Sequence, residues 1–201
     1  KDSIYISREE EEELQKIIGS YDIAVIALGL HFSKEVLTQA PNLKIIATAT
    51  TGLDHIDTKY AKEKGIEIVS LRGETEFLRG VTGTAELALG LMLDLARFTP
   101  FAFEAVRRGE WKRDEWRGHN LFDKTLGVVG LGRLGSMVAK YGKSLGMNVL
   151  FFDPNLKESP SGDYTKVSFD ELLMRSDFVS IHVPLMSETE RMFDMAVFKK
   201  M

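Results

Sequence analysis

The chain of 201 residues contains no cysteine. That excludes disulfides and thiolate metal sites and accords with a reducing compartment. Basic charge is not in excess either: 26 lysines and arginines stand against 30 acids, for a formal net charge of −4, with the two signs interspersed. A polyphosphate partner requires a continuous basic face, so nucleic acid is not an expected partner. Long hydrophobic runs are missing as well. The most apolar segment, residues 85–96, is too short for a bilayer and holds Glu86 and Asp94, and the N-terminus lacks a signal-peptide pattern. No membrane is expected, and the expected location is the cytoplasm. There is no internal repeat and no low-complexity tract. What remains is a folding composition, 44% apolar and 28% charged, long enough for one large domain or two small ones.

The most informative stretch is TLGVVGLGRLGSMVAKYGKSLGMNVLFFD, residues 125–153. A short apolar run, residues 126–129, predicts a strand that stops at Gly130-Leu131-Gly132-Arg133-Leu134-Gly135, the G-x-G-x-x-G spacing of a dinucleotide-binding turn. In that turn the first glycine permits the sharp bend and the second lets backbone approach a pyrophosphate. The third lets helix pack on strand. Leu134, Met137, Val138, Tyr141 and Leu145 form one apolar stripe of a following helix, whose free N-terminal amides would face the phosphates. Residues 148–152 read as the next strand, and Asp153 ends it about 20 residues past the glycines, where an acid meets a ribose. A glycine pair alone would be an ordinary turn, but strand, helix, second strand and terminal acid agree here. Asp153 would accept bonds from both ribose hydroxyls of NAD and repel the 2′-phosphate of NADP, and Pro154-Asn155 supplies no arginine to offset it. The expected cofactor is NAD.

Taken in order, Ser7 and Glu10 have the spacing of a capping box at a helix start. Residues 22–28 (DIAVIAL) read as a buried-type strand, 33–39 as a short capped helix, 43–49 as a strand, 57–64 as a helix ended by Gly65, and 66–70 as a strand. That alternation predicts a parallel α/β sheet. The pattern breaks over residues 71–83. Residues 84–98 then predict a helix apolar nearly all round, which must be covered on both sides, between two domains or in a subunit interface. A second helix ends at Arg108, and a polar linker with Trp111 and Trp116 leads to the glycine turn. Beyond Asp153, a loop runs to Lys166, Ser168 caps a short helix, residues 178–182 form a strand ended by Pro184, and a last helix is expected from residues 187–190 to Met201.

TTGLDHID (residues 50–57), GTAELALGLMLDLAR (83–97), TLGVVGLGRLG (125–135), FFDP (151–154) and FVSIHVPLMSET (178–189) resemble, in order and spacing, the D-isomer-specific 2-hydroxyacid dehydrogenases. The resemblance covers most of the chain. It implies a Rossmann-type doubly wound parallel sheet that binds NAD, expected over residues 84–201 and incomplete at its C-terminal end, plus part of a flavodoxin-like substrate domain over residues 1–83. It also implies substrate and cofactor clefts that face each other, a 2-hydroxy or 2-keto acid as substrate, and a homodimer built on the cofactor domain. Thr51 and Gly52 match the loop whose amides face the substrate carboxylate, and two adjacent amides with a glycine make a sensible anion cradle. Thr84 matches the position beside the nicotinamide, Arg133 and Leu134 supply turn amides to the pyrophosphate, and His182, Val183, Pro184 and Thr189 match the pocket edge near the second ribose and nicotinamide. Leu87 departs from the histidine the family often carries after its Ala-Glu.

Two tempting readings are set aside. Asp54, His55 and Asp57 could be misread as metal ligands, but a helix start with Asp54 or Asp57 as cap is the simpler reading, and no metal is expected. His182 invites a catalytic role, yet the proton-donating histidine, its glutamate and the substrate arginine that the resemblance implies follow the His182–Pro184 motif. No catalytic residue is therefore assigned in this chain, which is expected to be a piece of a longer protein. Arg72 and Arg79 could serve a substrate or be solvated charges. A corepressor-type NAD(H)-sensing protein is the rival reading, since fold does not fix function. A methyltransferase is disfavoured because its motif normally opens the domain.

Overall fold

The computed structural model describes residues 11–201, so the capping box expected at Ser7 and Glu10 lies outside the described residues. These residues fall into two compact units, one ending at Gly80 and one running from Val81 to Met201. Each has its own parallel sheet.

The first unit runs α1 (Glu11–Ile17), β1 (Ile23–Ile26), α2 (Lys34–Thr38), β2 (Ile45–Thr48), α3 (Thr58–Glu63), β3 (Glu67–Ser70) and α4 (Thr75–Leu78). The strands lie in the order β1-β2-β3. Helix starts follow side-chain chemistry: Ser33 Oγ accepts from Val36 N, and Asp57 Oδ1 accepts from Tyr60 N at 2.9 Å, which makes Asp57 the cap of α3. Strand side chains alternate between faces. Ile26 and Ile46 therefore meet Leu14, Ile18, Val36, Leu37 and Ala61 in one core, while Ile23, Val25 and Val69 point the other way and are exposed, Val25 by 84%. The expectation that residues 22–28 form a strand buried on both faces is thus corrected. Helices α1, α2 and α3 all contribute to one core, and among the described residues of this unit no helix covers the second face. Helix α4 lies in the segment read as a break and is too short to leave a periodic signal.

The second unit comprises α5 (Gly83–Arg97), α6 (Thr99–Arg107), β4 (Thr125–Val129), α7 (Arg133–Ser144), β5 (Asn148–Phe152), β6 (Thr165–Lys166), α8 (Phe169–Arg175), β7 (Phe178–Ile181) and α9 (Met195–Phe198). Its sheet is parallel with order β6-β5-β4-β7. Alternation explains why these strands are continuous apolar runs. Leu126, Val128, Val149 and Phe151 enter a core with Ala85, Met92, Val138 and Ala139 of α5 and α7. Val129 and Leu150 enter another with Leu172 of α8. Both faces are covered, as a doubly wound sheet requires. Chain direction across the sheet reverses at β4, with β5 and β6 on one side and β7 on the other. The carboxyl ends of β4 and β7 therefore flank a topological switch point.

In α5, Ala85, Met92 and Ala96 are buried, whereas Leu87, Leu91 and Leu95 are 62%, 55% and 69% exposed, so within this single chain the described residues cover the helix on one side. One helix expectation is corrected. The last helix does not run from residue 187 to Met201. Residues 187–191 form turns, because Thr189 Oγ1 accepts from Met186 N at 2.9 Å and donates to Pro184 O at 2.5 Å, and Arg191 adopts a left-handed φ of 54°. The Ser187–Glu190 spacing mimics a helix start, but this hydroxyl offers the backbone a local alternative. Only α9 is helical, capped by Asp194 Oδ1 at Val197 N. No helix among the described residues is long and apolar enough to cross a membrane.

Candidate functional site

At the carboxyl end of β4 the chain turns at Gly130, whose φ of +87° suits glycine. Its amide donates to Phe152 O at 2.8 Å, so the turn continues the β4–β5 ladder. A methyl group on Gly130 would lie 2.8 Å from Val183 Cγ1 and 3.0 Å from His182 O. On Gly135 it would lie 2.0 Å from Gly130 O. The turn is thus pressed between β7's continuation and the first turn of α7. Gly132 is different: a methyl there would meet nothing within 4 Å. Gly132 is also the N-cap of α7, so no side chain caps this helix. The amides of its first turn, in Arg133, Leu134 and Gly135, have no intrahelical acceptor and carry the positive end of the helix dipole. A closely packed turn with one open side at the positive end of a helix is the geometry that receives an anion.

Asp153 follows β5. Its Oδ2 accepts from Leu131 N at 3.0 Å and its Oδ1 from Asn155 N at 2.9 Å, so the carboxylate fastens the middle of the glycine turn to the end of the neighbouring strand. Each carboxylate oxygen has a second lone pair for a further donor. On the other side of β4, His182 N donates to Val129 O at 2.8 Å, one residue beyond β7, and Val183 packs against the α8 core. His182 Nε2 lies 2.8 Å from Ser180 Oγ. Burial pushes this imidazole below its ordinary value. Pro184 is exposed, its carbonyl held by Thr189. Thr84 is exposed in the first turn of α5, and Arg133 Nη1 reaches back from α7 to Val81 O at 2.6 Å.

The second unit therefore gathers Gly130, Gly132, Arg133, Leu134, Gly135, Asp153, His182 and Val183 around the switch point, links Pro184 to Thr189, and ties Arg133 to the segment before Thr84. Thr51 and Gly52 belong to the first unit, exposed on the loop after β2, where Thr50 Oγ1 donates to Gly52 O at 2.7 Å. Between Asp54 and Asp57, His55 is 4% exposed, and neither ring nitrogen has a partner among the described residues. Arg79 pairs with Glu76 at 3.5 Å on the surface. Three contributors escaped the sequence reading: the Leu131 amide, the Ser180 hydroxyl and the Val81 carbonyl. Only Ser180 left a signal, since a strand residue two before His182 shares its face. A cavity of about 260 Å³ lined by Thr125, Lys143, Asn148 and Arg175 lies at the opposite, amino ends of β4 and β5, away from the strand ends where open α/β sheets bind ligands.

Residues 89–201 match the D-isomer specific 2-hydroxyacid dehydrogenase NAD binding domain. The chain is 37% identical to the D-3-phosphoglycerate dehydrogenase of Methanocaldococcus jannaschii over 94% of its own length and 36% of that protein's. It is also 37% identical to the hydroxypyruvate reductase of Thermotoga maritima, over 96% of this chain and 61% of that one. The crystal structure of D-lactate dehydrogenase from Aquifex aeolicus, complexed with NAD and lactic acid, superposes with a TM-score of 0.81 and 33% identity, covering 95% of this chain and 55% of that chain. The chain thus spans between roughly a third and three-fifths of the lengths of these proteins.

Proposed function

Because the chain belongs to the D-isomer specific 2-hydroxyacid dehydrogenase family, we propose that it carries the NAD site of an enzyme that moves a hydride between nicotinamide and the C2 carbon of a D-2-hydroxy or 2-keto acid. One observation carries the reading: Gly132 is open to a ligand where Gly130 and Gly135 are crowded, at the uncapped start of α7. The residues fit the cofactor. The first-turn amides of Arg133, Leu134 and Gly135 hold the pyrophosphate, and Asp153, already oriented by Leu131 N and Asn155 N, takes the adenosine ribose hydroxyls. His182, Val183, Pro184 and Thr189 form the wall near the second ribose, and Thr84 lies toward the nicotinamide. NAD supplies the hydride chemistry, and the protein supplies position.

Thr51 and Gly52, in the substrate part of the chain, offer backbone amides to the substrate carboxylate. On this reading the domains divide near residue 83. The proton donor and the carboxylate-binding arginine are assigned outside these 201 residues. His182, whose Nε2 lies 2.8 Å from Ser180 Oγ at the end of β7, is assigned to the cofactor wall rather than to that role. The exposed stripe Leu87, Leu91 and Leu95 supports a homodimer built on the cofactor domain, and the absence of cysteine accords with the cytoplasm.

The test is to mix the chain with NADH and a panel of 2-keto acids, following nicotinamide fluorescence for binding and absorbance for oxidation. Binding without oxidation is expected. Sustained oxidation would contradict the assignment of the proton donor elsewhere, and absence of binding would contradict the site.

A further inference from the structure

Arg133 is the first residue of α7, yet its side chain does not simply extend into solvent. Nη1 donates to Val81 O at 2.6 Å, across 52 residues of sequence. Val81 directly precedes Thr82, on which the first turn of α5 is built: Ala85 N and Glu86 N donate to Thr82 O at 2.8 and 3.0 Å, and Thr82 Oγ1 donates to Glu86 Oε1 at 2.5 Å. Thr84 lies inside that turn. One side chain therefore joins the start of the helix that faces the pyrophosphate to the start of the helix that carries the residue nearest the nicotinamide. A guanidinium suits this task, because it is planar, always charged, and carries five N–H donors in a fixed fork.

We propose that Arg133 is a positioning residue whose bond to Val81 O sets the first turn of α5 against the glycine turn, so that the nicotinamide end of the cofactor is held in register with the pyrophosphate end. This rests on the NAD reading of the same site. The competing role, a cation that only neutralises the pyrophosphate, makes a different prediction. ADP-ribose keeps the pyrophosphate and both riboses and lacks only nicotinamide. A purely phosphate-directed arginine serves NADH and ADP-ribose equally, whereas one that positions α5 matters more for NADH.

The experiment is calorimetric titration of the 201-residue chain, and of its Arg133→Met and Arg133→Lys variants, with NADH and with ADP-ribose, together with amide hydrogen exchange without ligand. Loss of a charged hydrogen bond predicts that Arg133→Met weakens NADH by about tenfold more than it weakens ADP-ribose. Arg133→Lys, which keeps the charge and gives up the fork, should hold ADP-ribose nearly as well as the parent while still losing NADH affinity. Exchange at Ala85 and Glu86 should quicken in Arg133→Met, while the Gly130 amide, bonded to Phe152 O, stays as protected as before. Equal losses for the two ligands, or unchanged exchange at Ala85 and Glu86, would overturn the positioning role alone. Failure of the unmutated chain to bind either ligand would overturn the NAD reading and this inference with it.

Discussion

The three glycines of the turn after β4 differ in what a methyl group would meet, and this separates structure from ligand binding at the level of single atoms. At Gly135 the nearest atom is a backbone oxygen 2.0 Å away, which no side-chain rotation relieves. Gly135→Ala should therefore destabilise the chain by about 3 kcal/mol, because helix and turn must move apart. Gly132 has an ordinary φ of −73° and nothing within 4 Å, so Gly132→Ala should leave stability within about 0.5 kcal/mol of the parent. Urea unfolding of the two variants measures both. Equal destabilisation would show that Gly132 is retained for packing. His55 presents a different residue-scale feature, a buried imidazole with no partner on either nitrogen among the described residues; the structure contains no physical reason for it.

Among the elements, α5 is divided lengthwise. Ala85, Met92 and Ala96 seal the cofactor-domain core, and Leu87, Leu91 and Leu95, each four residues on from the last, form an exposed ridge. Burying such leucines against a second copy stabilises association by about 1.5–3 kcal/mol each. If the proposed homodimer forms through this ridge, Leu91→Glu should convert it to a monomer, as read by light scattering on a sizing column, while the melting temperature of the monomer changes little. A parent chain that is monomeric at high concentration would contradict the dimer.

Legibility from sequence also sorts by element. The glycine turn, α7 and β5 were readable because their determinants are local: spacing, an apolar stripe and a terminal acid within one stretch. Even so, Leu145 falls just past α7 and is 38% exposed, so the stripe stops one turn short of its expected end. The four-residue α4 and two-residue β6 carry too few positions for a period to show. The last helix was misread because Thr189, through its own hydroxyl, stabilises a turn that propensity does not foresee. The Asp153–Leu131 and Arg133–Val81 bonds cross 22 and 52 residues and depend on packing that no local pattern encodes.

At the scale of the whole molecule, the doubly wound sheet does the placing. The sheet is covered by α5 and α7 on one face and α8 on the other, β4 lies between β5 and β7, and the reversal of strand order at β4 leaves the turn after it at the switch point. The uncapped helix, the open Gly132 and the anchored Asp153 meet there because the sheet brings them there. The first unit, taken by itself, carries Thr51 and Gly52 on the loop after β2 of a smaller sheet that is covered on one face among the described residues. The most direct measurement is a calorimetric titration of NADH into the parent chain and into Gly132→Ala. Saturable binding of one NADH per parent chain is expected, weakened by about tenfold or more in the equally stable variant, because the added methyl occupies the pyrophosphate's approach. Equal NADH affinity for the two proteins, or no binding by the parent, would contradict the placement of the cofactor on this turn.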